Sequence, residues 1–398
     1  MNKNIKLAVA GAVLALSATA NAGIIIPAGD WTLDISGNVN SYVTSTKTSG
    51  SAVLGGLTGA VNDTGTKSQG SITTGLLPNF LSVSGSTRQN DLDVTFLISM
   101  NPGGSSANPL SGGSTNENRQ AFMTWGDKSW GSIKLGKDLG IFASDAILND
   151  MTLLGVGSGA GSRTAHTTSL GRIGTGFVYA DWKQQASYTT PNFNGFQATA
   201  GVTQAWNATG VDATTSMAAT GRAAGGYAYE GKASYSFSGG DMTGKVWIGG
   251  FSQKVHTSPD NAYAGEVGAN LNVAGLGLTG YYYSGQGIGL TAMLRDGYDV
   301  SRRARDSDGG YVQATYVLPT KTKVGLSYGL SNLDRNGTGD VAATSTFVKE
   351  QEMTTLGLYH PLTKHLNVVA EYNDVKDTGQ SNVSQKARTA ALGAILFF

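Results

Sequence analysis

The sequence predicts an all-β fold in which sixteen strands close into a transmembrane antiparallel β-barrel. Three observations predict it. Apolar residues alternate with small or polar ones at period two, in segments of about ten residues, the length a tilted strand needs to cross the hydrocarbon layer. The connections between these segments alternate short and long along the chain, as turns at one rim of a barrel and loops at the other do. The chain also ends inside an alternating strand, with Leu392, Ala394, Leu396 and Phe398 on one face, where a soluble domain usually ends in a frayed polar tail.

The first segment is read as a leader. Lys3 and Lys6 precede an apolar run from Leu7 to Leu16, and Ala20-Asn21-Ala22 is a small-x-small cleavage site. Residues 1–22 are therefore expected to be a secretory signal peptide removed before Gly23. A retained helical anchor needs about 20 apolar residues, and the run is too short. Residues 23–398 are expected to form one barrel.

Sixteen strands follow, over about 31–42, 79–88, 91–100, 117–127, 131–139, 183–190, 196–206, 228–237, 242–254, 263–273, 276–285, 310–318, 322–332, 351–360, 364–374 and 387–398. Val324, Leu326, Tyr328 and Leu330 alternate with Gly325, Ser327 and Gly329, and Tyr229, Ala233, Tyr235 and Phe237 alternate with Glu230, Lys232, Ser234 and Ser236. Period two gathers each apolar set on one face of a strand, whereas a helix would scatter it. Short connections such as Gln89-Asn90, Asp127 to Trp130 and Pro361 to Thr363 separate long ones over 43–78, 101–116, 140–182, 207–227, 286–309 and 333–350. The even count puts both ends of the barrel chain at the periplasmic rim, and closure satisfies the edges that lipid cannot hydrogen-bond. Trp31, Tyr42, Phe80, Trp125, Trp130, Phe196, Trp206, Tyr359 and Phe398 fall near predicted strand ends, where interfacial girdles place aromatic rings.

Composition excludes several classes. There is no cysteine, so disulfide scaffolds, thiolate metal sites and cysteine nucleophiles are ruled out. Lys+Arg 28 against Asp+Glu 27 gives no reason to expect a nucleic-acid partner. Only 14% charged residues and 57 Gly would suit disorder, but 16 Tyr, 12 Phe and 6 Trp argue against it. After the leader no window holds 18 consecutive apolar residues, so helical spans are not expected. The four histidines (His166, His256, His360, His365) show no metal spacing. Gly155-Val156-Gly157-Ser158-Gly159 has no strand-to-helix unit around it and is not a dinucleotide site. No cofactor, metal or enzymatic centre is expected.

The terminal strand with its final Phe resembles that of bacterial outer-membrane barrels, where this residue helps the barrel-assembly machinery recognise the chain. Three local stretches sharpen the likeness. Asn118-Arg119-Gln120-Ala121-Phe122, Gly131-Ser132-Ile133-Lys134-Leu135-Gly136-Lys137 and Tyr188-Thr189-Thr190-Pro191-Asn192-Phe193-Asn194-Gly195-Phe196 resemble the fourth strand, the fifth strand and a hairpin of the Gram-negative general porins, especially the β-proteobacterial type. The resemblance spans essentially all of 23–398. It implies outer-membrane localisation amid lipid and lipopolysaccharide, a homotrimer, and a third external loop folded into the lumen, here about 140–182. The Pro-Glu-Phe-Gly-Gly run of the enterobacterial loop is absent.

With apolar residues facing lipid, parity places Asp34, Arg88, Asp93, Arg119, Lys134, Lys183, Glu230, Lys232, Lys245, Glu266, Lys323 and Glu371 on the lumen wall, seven basic and five acidic. The opposite parity would cost about 2–4 kcal/mol for each Arg or Lys at the midplane. By the resemblance, a basic ladder faces acids on the inserted loop: Arg88, Arg119 and Lys134 opposite Asp145 and Asp150, with Arg163, His166 and Arg172 also in the loop. Such opposed charges make a transverse field that ranks ions and dipolar solutes. The function implied is passive diffusion of ions and small hydrophilic solutes. The alternative is a substrate-selective channel: inward Trp247, Tyr281 and Tyr283 would suit sugars, and a denser Arg cluster would suit anions. A surface receptor or adhesin role would be secondary, and no Ser/His pair on the lipid face suggests a lipid hydrolase.

Overall fold

The computed structural model describes residues 23–60, 67–104, 116–160, 168–209, 226–256, 258–337 and 340–398. The expected signal peptide over 1–22, Arg163 and His166 lie outside the described residues. Nineteen strand segments follow in order: β1 Ile24–Ala28, β2 Trp31–Gly50, β3 Ser68–Thr73, β4 Phe80–Gln89, β5 Leu92–Pro102, β6 Asn116–Glu117, β7 Ala121–Asp127, β8 Gly131–Leu139, β9 Trp182–Thr189, β10 Phe196–Gln204, β11 Tyr227–Gly239, β12 Met242–Gln253, β13 Ala262–Val273, β14 Leu276–Gln286, β15 Asp306–Val317, β16 Lys323–Leu333, β17 Val348–Pro361, β18 Leu366–Gly379 and β19 Ser384–Phe397.

They make sixteen staves. β3 and β4 both pair with β2 and share one stave, as do β6 and β7 against β5, and β1 and β19 against successive stretches of β2. Neighbouring staves pair antiparallel, and β19 closes the ring on β2, from Gln385 opposite Gly50 to Phe397 opposite Asn38. Closure leaves no open edge to lipid, which offers no hydrogen bonds of its own. Among the described residues no helix is long and apolar enough to cross a membrane.

Alternation sorts the two faces. On β19, Leu392 is 60% exposed while Thr389 is fully buried, and the outward set continues through Val43, Ile248, Val312 and Leu326. The tight turns carry left-handed backbone where the sequence supplies it. Asn90 and Asp91 have φ of 48° and 62° between β4 and β5, and Ala274-Gly275 have 48° and 86° between β13 and β14. Two consecutive positive φ values match the right-handed twist of a two-residue hairpin.

Several expectations need correction. β2 runs to Gly50, and β3 lies inside what the sequence suggested was a single connection over 43–78. The predicted strand 117–127 breaks at 118–120. β18 and β19 extend until only residues 380–383 join them, so one external connection is a turn. Phe398 exchanges backbone hydrogen bonds with Gly37 (2.8 and 3.0 Å), and β1, absent from the sixteen predicted strands, occupies the place beside Trp31, with Ala28 opposite it. The girdle is also redrawn: Tyr42, Phe80 and Tyr359 are buried inward. Exposed rings near strand ends include Trp130, Tyr188, Phe196, Tyr227, Tyr263 and Tyr316, so parity, rather than nearness to a strand end, decides which rings meet the interface.

Candidate functional site

The connection between β8 and β9, residues 140–181, is bound to inward-facing side chains of the wall. Three carboxylates do most of this. Glu230 on β11 accepts the Ile141 and Phe142 amides (2.7 and 2.9 Å) through Oε2, and Lys183 Nζ (2.6 Å) and Thr203 Oγ1 (2.8 Å) through Oε1. Glu266 on β13 accepts the Ala143 amide (3.0 Å) and the Tyr281 hydroxyl (2.8 Å). Glu371 on β18 accepts the Val156 and Gly157 amides (2.9 and 2.8 Å) and the Tyr359 hydroxyl (2.7 Å). Backbone amides outside any ladder need acceptors when buried, and a carboxylate supplies strong, charge-assisted ones.

Between these points runs a short helix, α1, Ser144–Asn149, followed by a 3-10 turn over Met151–Leu154. Tyr311 donates to the Ala146 carbonyl (2.7 Å), Gln313 brackets the segment through Asn149 O (3.1 Å) and Met151 N (2.7 Å), and Tyr42 donates to Leu154 O (2.6 Å). Arg172, fully buried, donates to Met353 O and Thr355 Oγ1 on β17 (3.1 Å each). The interruption between β3 and β4, residues 74–79, packs on the same segment: Leu76 N meets Gly155 O at 2.8 Å and Ser169 N meets Gly75 O at 3.0 Å.

The charged residues pair differently from the expected ladder. Arg88 lies 2.8 Å from Asp93 and 2.9 Å from Asp127, at the short-turn ends of their strands. Arg119 pairs with Glu117 (2.9 Å) and stands over the Trp182 ring. Lys134 pairs with Asp138, which also accepts from Gln120 (2.9 Å). The loop acids have other partners. Asp145 is held by Lys232 (2.8 Å) and Lys245. Asp150 lies 3.6 Å from Arg172 within the same connection and caps Thr152 N at 3.0 Å. Thus Arg88, Arg119 and Lys134 are not brought into ion pairs with Asp145 and Asp150. Burial alone would raise the Asp145 carboxyl, but the two ammonium groups outweigh it and hold its pKa below the ordinary value.

The remaining wall residues are scattered. Asp34 lies against Gly23 with one buried carboxylate oxygen lacking a hydrogen bond, and Lys323 Nζ sits 5.0 Å over the Tyr359 ring. Trp247, Tyr281, Tyr283 and Tyr311 form a chain of ring contacts at 5.8–6.5 Å, with every ring at most 5% exposed. These rings pack beneath the connection and are not open to a solute. Tyr311, Gln313 and Asp138 escaped the sequence reading and Tyr359 was assigned to the girdle, although parity alone puts all four inward.

A closed antiparallel barrel of sixteen staves, apolar outside and charged inside, defines a transmembrane β-barrel channel. The chain belongs to the Gram-negative porin family, whose model matches residues 7–380. It is accordingly an outer-membrane channel for passive diffusion, and not an enzyme. No curated protein sequence matches it. Among solved structures it is similar to the outer membrane channel DcaP of Acinetobacter baumannii, with 16% identity, a TM-score of 0.68, and 95% of this chain and 100% of that one covered. It is similar to the anion-selective porin from Comamonas acidovorans, with 16% identity, a TM-score of 0.60, and 92% and 100% covered. It also resembles OmpT of Vibrio cholerae, solved in its trimer form, with 14% identity, a TM-score of 0.54, and 92% and 99% covered. At such identities the likeness shows the fold alone.

Proposed function

We propose that residues 140–181 form the constriction of a general diffusion pore for ions and small hydrophilic solutes, with a weak preference for anions. The observation that carries the constriction is the trio of buried wall carboxylates, Glu230, Glu266 and Glu371, which hold the connection's amides at three places around the barrel. A segment held to β11, β13 and β18 crosses the lumen rather than standing outside it.

Exposure supports the anion preference. Glu230, Glu266, Glu371 and Asp145 are at most 6% exposed, engaged in holding the segment or in ion pairs. Lys134 and Lys232 keep 22% of their side chains exposed, and Lys245 31%. A passing ion then meets these ammonium groups at closer range than the carboxylates. A sugar-selective pore loses its support, because the inward aromatic rings are covered.

Residues 1–22 act in this reading as a cleaved signal peptide, and Phe398, docked on Gly37, as the signal read by the barrel-assembly machinery. The OmpT trimer form supports a homotrimer, set among outer-membrane lipid and lipopolysaccharide. Reversal potentials under a salt gradient test the selectivity. An anion-leaning potential in wild type is expected, and a cation-leaning one overturns the preference.

A further inference from the structure

The connection between β14 and β15, residues 287–305, is packed as closely as the segment it meets. Ile288 and Leu294 are fully buried, and Leu290 and Met293 nearly so. Its contacts reach opposite sides of the barrel. Met293 places its sulfur 3.0 Å from Lys183 Nζ on β9. Thr209, just beyond β10, donates to Leu294 O (3.2 Å) and accepts from Asp296 N (2.6 Å). Leu290, four residues before Leu294, packs with Leu333, Phe347 and Val348 at the outer ends of β16 and β17. β9 and β17 are the sixth and fourteenth staves of sixteen, so residues 290–294 lie along a diameter of the ring. Thr291 O accepts the Tyr179 amide at 2.7 Å, joining this strut to the end of the 140–181 connection.

The strut is fastened at its end. Arg305 is 2% exposed. It donates through Nε to Asp340 Oδ2 at 2.7 Å, with a second bond from its fork to Oδ1, and to the Asp296 and Tyr298 carbonyls at 2.9 and 3.0 Å. Its guanidinium lies 4.7 Å over the Phe347 ring. One side chain thereby ties the connection's own backbone to the loop preceding β17. Leu294, Asp296 and Arg302 hold φ of 64°, 62° and 64°, a conformation that non-glycine residues keep only where the surroundings over-determine it.

We propose that residues 287–305 are a second constriction element, a strut across the outer mouth latched by the Arg305–Asp340 pair, which narrows the opening through which solutes enter. This rests on the reading of the barrel as a conducting pore. Permeation is then limited by two stacked elements, and residues on the outer one set the size cut-off.

Single-channel recording in planar bilayers tests it on the full-length protein. The variants are a replacement of residues 290–303 by a short Gly/Ser bridge, Asp340→Asn, and Asp340→Glu as the conservative control. Heat-modifiable gel migration reports the folded barrel in each. The bridge variant is expected to conduct at least about twofold more than wild type and to admit larger neutral polyethylene glycols. Asp340→Asn should show a smaller rise with added open-state noise, and Asp340→Glu should stay near wild type. Unchanged conductance and polymer cut-off in a folded bridge variant overturn the proposal. Should that variant fail to assemble, wild-type behaviour of Asp340→Asn overturns it. A wild-type protein that does not conduct instead contradicts the pore reading itself, so the two failures are distinguishable.

Discussion

Replacing Glu371 with Ala removes one of the three carboxylates that hold the 140–181 connection while leaving every strand ladder intact. The loss can be sized. Val156 and Gly157 amides and the Tyr359 hydroxyl lose their acceptor, and a buried donor left unsatisfied costs about 1–3 kcal/mol. The two amides alone give about 2–6 kcal/mol. Relief of the buried carboxylate's desolvation and water entering the vacated space offset part of this, which favours the low end. About 2 kcal/mol raises the population of locally detached segment roughly 30-fold. Hydrogen exchange at Val156 and Gly157 reads that opening directly, and single-channel noise reads its effect on the pore. Both should rise in Glu371→Ala, while heat-modifiable migration is unchanged. Glu371→Gln, which keeps an acceptor oxygen, should stay close to wild type. Wild-type protection of both amides together with wild-type conductance in Glu371→Ala would refute the carboxylate anchoring.

The other predictions address charge, pH and the lipid face. Lys134→Glu should move the zero-current potential toward cations, because it reverses a partly exposed charge beside Asp138; an unmoved potential removes Lys134 from the selectivity machinery. The Asp145 carboxyl lies below its ordinary pKa through Lys232 and Lys245. Its contribution is therefore complete above about pH 4 and fades only as pH falls through the lowered value. Conductance noise attributable to this anchor should be flat from pH 7 to about pH 4 and grow below it; a transition near pH 6 abolished by Asp145→Asn would contradict the sign. Leu392→Arg, on the outward face opposite Val43 and Ala370, should lower unfolding stability in lipid vesicles by about 2–4 kcal/mol if it sits near the midplane. Unchanged stability would refute the assigned parity.

The barrel was legible because a closed sheet repeats one rule. Side chains alternate between lipid and lumen, so Leu392 outward and Thr389 inward follow from a count of two. The same rule put Glu230, Glu266 and Glu371 inward. It could not say what they would bind, since the partners are amides of a segment with no periodicity. Asp145 shows the difficulty: read as an acid opposite Arg88, Arg119 and Lys134, it is taken by Lys232 and Lys245 of another part of the wall. Parity fixes a face but not the object packed against it, which is why Trp247 and Tyr281 looked like a solute track and are instead covered. β1 was overlooked although Ile24-Ile25-Ile26 before Gly29-Asp30 is a β-branched run ending in a turn. Pro27 weakens that signal, and a position paired only with Thr32 of β2 accommodates it.

Planar-bilayer recording of the purified wild-type protein bears most directly on the central claim, a passive pore narrowed by residues 140–181. Discrete, ohmic conductance steps in groups of three, with a weak anion preference and a larger conductance once that segment is shortened, are the predicted result. Absence of any conductance from folded protein, or a conductance that shortening the segment leaves unchanged, would contradict it.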